Sequence, residues 1–319
     1  MFRSSSNHHA VVALILAAAC WGVGTAVSKR AVAEIPPLAL LPMQLAASVA
    51  LLSAFRLLRR PDRGLPSAAE QPTPGTAALT RLGILNPGLA YAFSLVGLVY
   101  LSASLSVLLW ALEPIAILFL ARRFLGERIG IGIAALSAVA VAGMALVAYD
   151  PDATGRVLGV ALTIAGVACC AIYTILARRW IGTADSTIDV VVGQQVYALA
   201  LVTALAAAAW LVAGVPGVPA VSGAGWMSAI ASGVLYYGAA YSLYLIGLRR
   251  VPAAQAAVSF YLIPVFGVAA GVAFLGDTFQ PSQWLGVGLV LAAVAGIAVW
   301  IITGPIEASD SLATAVVDT

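Results

Sequence analysis

The sequence predicts an all-α polytopic membrane protein, with ten transmembrane helices arranged as two inverted five-helix repeats. Three observations carry this: composition, the length of the apolar runs, and a self-match at one fixed offset. Hydrophobic residues make up 62% and charged residues 9% of the 319 positions, and mean hydropathy is +1.03. A soluble chain carries about 25% charge. The apolar runs are long enough to cross a ~30 Å hydrocarbon core as helices, which need about 20 residues each. They lack the period-2 alternation of a membrane barrel.

In chain order the spans are Ala10 to Ser28, Pro37 to Leu58, Ala77 to Tyr100, Ser102 to Ala121 and Ile129 to Ala148, then Gly155 to Ala177, Ile188 to Ala213, Ala224 to Leu248, Ala253 to Leu275 and Ser282 to Ile302. Basic pairs fence several of them: Lys29-Arg30 after the first, Arg59-Arg60 after the second, Arg122-Arg123 at the fourth, Arg178-Arg179 after the sixth and Arg249-Arg250 after the eighth. The long polar connection from Arg59 to Thr76 is rich in proline and charge and reads as a linker. Residues 1–9 are a cytoplasmic N-terminal tail, 10–149 the first repeat, 150–302 the second, inverted repeat, and 303–319 a C-terminal tail whose small, polar, acidic residues predict disorder.

Lys and Arg near span ends collect on the cytoplasmic side. Alternation of the spans puts Arg3, Arg56, Arg59, Arg60, Arg63, Arg81, Arg122, Arg123, Arg128, Arg178, Arg179, Arg249 and Arg250 on one side, against Lys29, Arg30 and Arg156 on the other. Both termini are therefore expected in the cytoplasm. The net charge of +3 needs no nucleic acid to explain it. Ala17-Ala18-Ala19 before Cys20 loosely resembles a cleavage site, but the run continues apolar to Val27 and has a repeat copy, so it reads as a span. Cys20, Cys169 and Cys170 form no spaced framework and read as small packing residues.

The duplication appears on sliding the sequence along itself. An offset of 150 pairs Glu113-Pro114 with Ile263-Pro264, Gly126-Glu127 with Gly276-Asp277, Gln44 with Gln194, Gly88 with Gly238, Tyr91 with Tyr241, and Gly97-Leu98 with Gly247-Leu248. At 149, Thr25 meets Thr174 and Lys29-Arg30 meets Arg178-Arg179. An odd number of spans per half sends the second half into the membrane the opposite way. Inverted repeats build transporters with a midplane substrate site at the repeat interface, flanked by kinked or broken helices. Pro42, Pro87, Pro114 and Pro264 lie inside spans, where proline removes a backbone hydrogen bond, and are the candidate kinks.

The paired endings Leu112-Glu113-Pro114 to Leu125-Gly126-Glu127 and Ile263-Pro264 to Leu275-Gly276-Asp277, with Trp21-Gly22 and Tyr173-Thr174 to Arg178-Arg179, resemble the EamA family of the drug/metabolite transporter superfamily, YddG-like amino-acid and metabolite exporters included. The resemblance covers about Ala10 to Ile302. It implies export of small metabolites, amino acids foremost, across a bacterial inner membrane. It also implies a central cavity lined by spans one to four and six to nine.

Glu113 is the strongest candidate. It lies in mid-span, where a carboxylate costs about 2.5–3.5 kcal/mol and usually faces a cavity or a partner. Ser102, Ser106, Trp110 and Glu113 follow at helical spacing and form one stripe. Trp21 is the other mid-span tryptophan, while Trp180, Trp210, Trp226, Trp284 and Trp300 fit an interfacial belt. Tyr237, Tyr241 and Tyr244 share a face of span eight, matched by Tyr91 and Ser94 in span three. Gln44 and Gln194 are mid-span amides that either hold a zwitterion or join helices. Phe260, the counterpart of Trp110, completes an aromatic pair across the cavity. Glu113 itself meets only Ile263 and so breaks the repeat. It either binds an amino group, carries a coupling proton, or hydrogen-bonds the Trp110 carbonyl that Pro114 frees. The default for Lys29 is snorkelling to headgroups.

No Gly-Lys-Ser or Gly-Lys-Thr loop is present, so the chain is not itself a P-loop ATPase. His8 and His9 are the only histidines, both near the N-terminus, which excludes an intramembrane histidine metal site or a histidine-based catalytic dyad. No cofactor, metal or catalytic residue is called for. The expected partners are a small-molecule substrate and the lipid bilayer, with oligomeric state open. Two other classes share parts of this pattern: a membrane enzyme using Glu113 on a lipid-linked substrate, and a passive facilitator or channel.

Overall fold

The structure is a computed structural model that describes residues 2–58, 74–125, 131–148, 156–177, 187–213, 220–248 and 259–303, all-helical with no strand among them. Linker residues 59–73, the loop with Gly126-Glu127 and Arg128, Arg178-Arg179, Trp180, Arg249-Arg250 and the tail beyond 303 lie outside the described residues. The helices are α1 (Phe2–Val32), α2 (Pro37–Leu58), α3 (Pro74–Arg81), α4 (Ala90–Tyr100), α5 (Ala103–Trp110), α6 (Glu113–Leu125), α7 (Ile131–Ala148), α8 (Arg156–Ala177), α9 (Thr187–Ala213), α10 (Gly223–Ser232), α11 (Ala240–Leu248), α12 (Ile263–Leu275) and α13 (Pro281–Thr303). Since α1 begins at Phe2, most of the segment read as a tail is helical. Among the described residues, five helical stretches are long and apolar enough to cross a membrane: Val11–Val32, Pro37–Leu58, Gly75–Tyr100, Arg156–Ala177 and Ile188–Val212. Shorter apolar helices include Ala134–Gly143, Ile263–Leu275 and Pro281–Ala293.

Among the described residues, interruptions fall inside several of the expected spans. Between α3 and α4 the chain makes a 3-10 turn (Leu82–Ile84) and a π-helical turn (Leu85–Leu89), in which Asn86 is extended (φ −142°, ψ 119°) and the peptide to Pro87 is cis. A π-helical stretch (Gly233–Ala239) likewise joins α10 to α11. The span expected to run unbroken from Ser102 to Ala121 divides at Ala111–Leu112, whose amides turn back to the Leu108 and Leu109 carbonyls, each at 3.1 Å. Pro114 thus sits in the first turn of a new helix, where a missing N–H costs nothing. Pro264 does the same at the start of α12, after a 3-10 turn (Ser259–Leu262). These two prolines begin helices rather than kink them. Pro42 lies inside α2, which continues through it.

Packing partners exchange between the halves. The first-half helix α1 packs on α11 and α12, and the second-half helix α8 packs on α4 and α6. Close approaches follow the same rule. A Cβ on Gly233 would stand 2.6 Å from the Gln44 carbonyl oxygen and 2.7 Å from its Cα, and a Cβ on Gly83 would collide with the backbone of Gln194. Both members of the two contacts are 150 residues apart, 83 with 233 and 44 with 194. Gly88 faces Ala198 and Leu201, and Gly238 faces Ser48 and Leu51, again at that offset. Beside this core α7 and α13 pack mainly on each other and leave Val139, Val141, Leu285 and Val299 exposed, the surface expected to meet lipid.

Candidate functional site

Where the halves meet, a small cavity is lined by Thr25, Ser28, Tyr91, Ser94, Leu95, Leu98, Ser106, Trp110, Tyr236 and Tyr237. Its ≈ 20 Å³ of space for the centre of a water-sized sphere suffices for one or two waters. An amino acid does not fit unless the walls part. Four of the expected residues, Tyr91, Ser106, Trp110 and Tyr237, line this cavity. The Trp110 indole stacks on Tyr91, with centroids 5.4 Å apart and planes at 23°, and its Nε1 donates to Ser94 Oγ at 2.9 Å. Tyr236 and Tyr237 meet Tyr91 edge-on at 5.3 and 5.2 Å. The Tyr91 and Tyr241 hydroxyls come within 3.5 Å of each other.

The row continues through Trp21, which touches Tyr241 (5.4 Å), Tyr244 (5.9 Å) and Phe260 (5.4 Å). Phe260 stacks on Tyr244 at 4.9 Å. The expected pairing of Phe260 with Trp110 is therefore replaced: Trp110 pairs with Tyr91, and Phe260 with Trp21 and Tyr244. Ser102 also leaves the expected stripe. It caps α5, its Oγ accepting from the Leu105 amide at 3.1 Å.

Glu113 opens α6 one turn beyond Trp110, and its Oε1 accepts a hydrogen bond from the Cys170 thiol at 3.0 Å. The Cys170 sulfur in turn accepts from Asn86 Nδ2 at 3.2 Å. Glu113 lies within Coulombic reach of the Tyr236 and Tyr244 phenols. Its partner is thus a thiol on α8, not the Trp110 carbonyl considered from sequence. Asn86 and Cys170 were missed there, although Cys20 and Cys170 stand at the repeat offset of 150 and Asn86 is an amide within a span.

Gln44 and Gln194 join helices. Gln44 is fully buried and donates to Ser28 Oγ (3.0 Å) and Ser232 Oγ (2.6 Å). Gln194 donates to the Leu79 carbonyl and accepts from the Tyr173 hydroxyl. Neither lines the cavity.

One end of the bundle is closed by polar ties. Lys29 does not snorkel: its Nζ donates to the Leu98 and Val99 carbonyls at 2.7 and 3.2 Å, the last turn of α4. Asp277 Oδ2 accepts from the Ser104 amide at 2.9 Å, the first turn of α5. Each charge meets the helix end of opposite polarity. Gly276 is left-handed (φ 68°), ending α12 as a glycine cap does. Glu34 accepts from the Ser222 amide and from Arg30, and these contacts, Ser222 foremost, hold its carboxyl below the usual range. Away from these ties, Arg56 Nε and Asp189 Oδ1 pair at 2.9 Å between α2 and α9.

Comparison with known proteins gives the arrangement a context. The model of the EamA-like transporter family matches residues 8–149 and again 157–299. The threonine/homoserine exporter RhtA of Escherichia coli strain K12 is 30% identical over 142 residues, 43% of this chain and 44% of that protein, and RhtA of strain O157:H7 matches equally. The aligned stretch thus spans less than half the length of these relatives. A known crystal structure matches 94% of this chain and 98% of its own, at 19% identity and a TM-score of 0.62, a likeness of fold. With two matches that together cover nearly all its described helices, the chain is a membrane protein belonging to the EamA-like transporter family.

Proposed function

We propose that this chain is a secondary transporter that exports small metabolites, amino acids foremost, by alternating access of two five-helix repeats inserted in opposite directions. The observation that carries the reading is the meeting of Tyr91 and Tyr241, 150 residues apart, at 3.5 Å beside the central cavity. Two equivalent residues touch each other only near an axis that relates their halves. The exchanged contacts of Gly83 with Gln194 and Gly233 with Gln44 are those of an internal two-fold. Such an axis in the membrane plane puts the site at the repeat interface.

The ten-span topology, with both termini in the cytoplasm of a bacterial inner membrane, agrees with the ties. Lys29, Glu34, Ser222 and Asp277 fall at connections, and Leu98 and Ser104 at span ends, that it assigns to the outer side. Within the site Glu113 either holds a substrate amino group or carries the coupling proton. Trp21, Trp110, Tyr91, Tyr241 and Phe260 supply apolar wall, and Ser106 and Tyr237 supply hydroxyls. Gln44 and Gln194 hold the walls in place. The likeness to a threonine/homoserine exporter supports an amino-acid substrate.

The test is uptake of a solute panel into liposomes containing the purified chain, with and without an imposed pH gradient. Saturable accumulation of unmodified solute, showing trans-stimulation and impaired by Glu113→Gln, is the expected result. A chemically altered product, or flux that does not saturate, overturns the reading.

A further inference from the structure

The repeat relation is kept in the frame and broken in the site. At the offset of 150, Glu113 corresponds to Ile263, Asn86 to Tyr236, Ser94 to Tyr244 and Ala171 to Trp21, with Cys170 matched by Cys20. The counterparts gather as well: Cys20, Trp21, Tyr236, Tyr244 and Ile263 fall in one packed cluster, which also holds Phe260, the counterpart of Trp110. Where Glu113, Asn86, Ser94 and Ala171 are small or polar, their counterparts are bulky, whereas the aromatic pairs Trp110–Phe260 and Tyr91–Tyr241 are kept in both halves.

The polar side lacks a donor. Cys170 has a single hydrogen, which goes to Glu113, so Asn86 must turn its NH₂ to the sulfur. That leaves Asn86 Oδ1 buried without a partner, in a residue only 6% exposed. A carboxyl group and an unpartnered amide oxygen joined through one thiol call for a group with several N–H donors. Glu113, Asn86 and Cys170 stand behind the wall of the small cavity rather than in its lining, and no Lys, Arg or His is among the described residues that line it to receive an anion.

We infer that Glu113 and Asn86, bridged by Cys170, form an ammonium-binding pocket, and that the site takes monoamines with an aromatic or large apolar tail whether or not they carry a carboxylate. The ammonium docks at Asn86 Oδ1 and Glu113. The tail takes up the aromatic side at Trp21, Tyr244 and Phe260, whose rings, now packed at 4.9–5.9 Å from one another, part to admit it. The inference rests on the transporter reading for its physiological meaning. The pocket itself is a statement about binding.

Binding is measured by calorimetry on the full chain in lipid nanodiscs, with phenethylamine, phenylalanine, N-acetylphenylalanine and threonine as probes. Phenethylamine and phenylalanine are expected to bind comparably. N-acetylphenylalanine, which lacks the ammonium, binds about tenfold or more weakly, as does threonine, which lacks the tail. This comparison uses the unaltered protein and needs no variant to fold. Glu113→Gln should weaken phenethylamine about tenfold, and Trp21→Ala should erase the preference for phenylalanine over threonine. Equal binding of the acetylated probe, tighter binding of threonine, or no binding of either amine overturns the inference. Liposome flux separates it from the transporter reading: amine binding without flux removes transport and leaves the pocket, whereas threonine flux without amine binding does the reverse.

Discussion

Replacing Asp277 by alanine tests whether the polar ties at one end of the bundle act as a gate. Asp277 is joined to the first turn of α5 by one charge-assisted hydrogen bond of 2.9 Å, and it also acts by Coulombic attraction on Lys29. A hydrogen bond to a charged group contributes about 1.5–3 kcal/mol. If the tie exists only with this face closed, its loss moves the closed-to-open equilibrium by roughly 10- to 150-fold. The chain supplies its own reporter, because Lys29 is its only lysine. With this face closed, its Nζ is engaged by the Leu98 and Val99 carbonyls. A membrane-impermeant amine reagent applied to intact cells, followed by mass spectrometry of the purified protein, reads exposure of Lys29 directly. Asp277→Ala should label at least about tenfold faster than the unaltered protein. Asp277→Asn, which keeps an acceptor and loses the charge, should fall between. Unchanged labelling in a variant that retains its thermal stability would refute the gate.

Two further predictions concern the frame. Gly83→Ala and Gly233→Ala should each destabilise the detergent-solubilised protein by about 1–3 kcal/mol through overpacking against Gln194 and Gln44, and thermal unfolding should show similar losses. Tolerance at one site and collapse at the other would contradict the two-fold. The Glu34 tie to Ser222 should depend on pH. Its folded-state pKa is depressed, so its contribution is fully present above the unfolded value of about 4.3 and is lost as pH falls through the lower folded value. The stability difference between the unaltered protein and Glu34→Gln should be constant from neutral pH to about 5 and vanish in stronger acid. A difference that persists there would rule the tie out as its cause.

Composition and periodicity made the helical membrane class legible, since burying so few charges leaves no other solvent for the chain. The duplication was legible because it repeats residues with special backbone roles: Pro114 and Pro264 begin helices, and Gly88 and Gly238 both lie at crossings. The breaks themselves were not legible. A proline reads the same whether it bends a helix or starts one, and the difference is made by residues 111 and 112 turning back to close a 3-10 turn. Cys170 was read as packing because a thiol in an apolar run shows its hydrogen bond only when α6 and α3–α4 bring Glu113 and Asn86 to it. Lys29 was assigned to headgroups for a similar reason. The α4 terminus that satisfies it is about 70 residues away in the chain.

Under the proposed inverted topology, the repeat also says which residues would serve an opposite gate. Asp277 corresponds to Glu127 at the offset of 150, and Lys29 to Arg178 at 149; both counterparts lie outside the described residues. In an inverted pair, the operation that carries Lys29 and Asp277 to Arg178 and Glu127 also carries the outer face to the inner one. If the proposed alternating access holds and Glu127 and Arg178 serve the inner face as Asp277 and Lys29 serve the outer one, the two ties compete for one equilibrium. Removing the outer tie favours opening outward, and removing the inner tie must favour the state in which the outer tie stands. Glu127→Ala should therefore slow the labelling of Lys29 below that of the unaltered protein, opposite in sign to Asp277→Ala, and the double variant should return toward the starting rate. Faster labelling in Glu127→Ala would mean that the two ends open together. That behaviour belongs to a channel, and it would exclude alternating access.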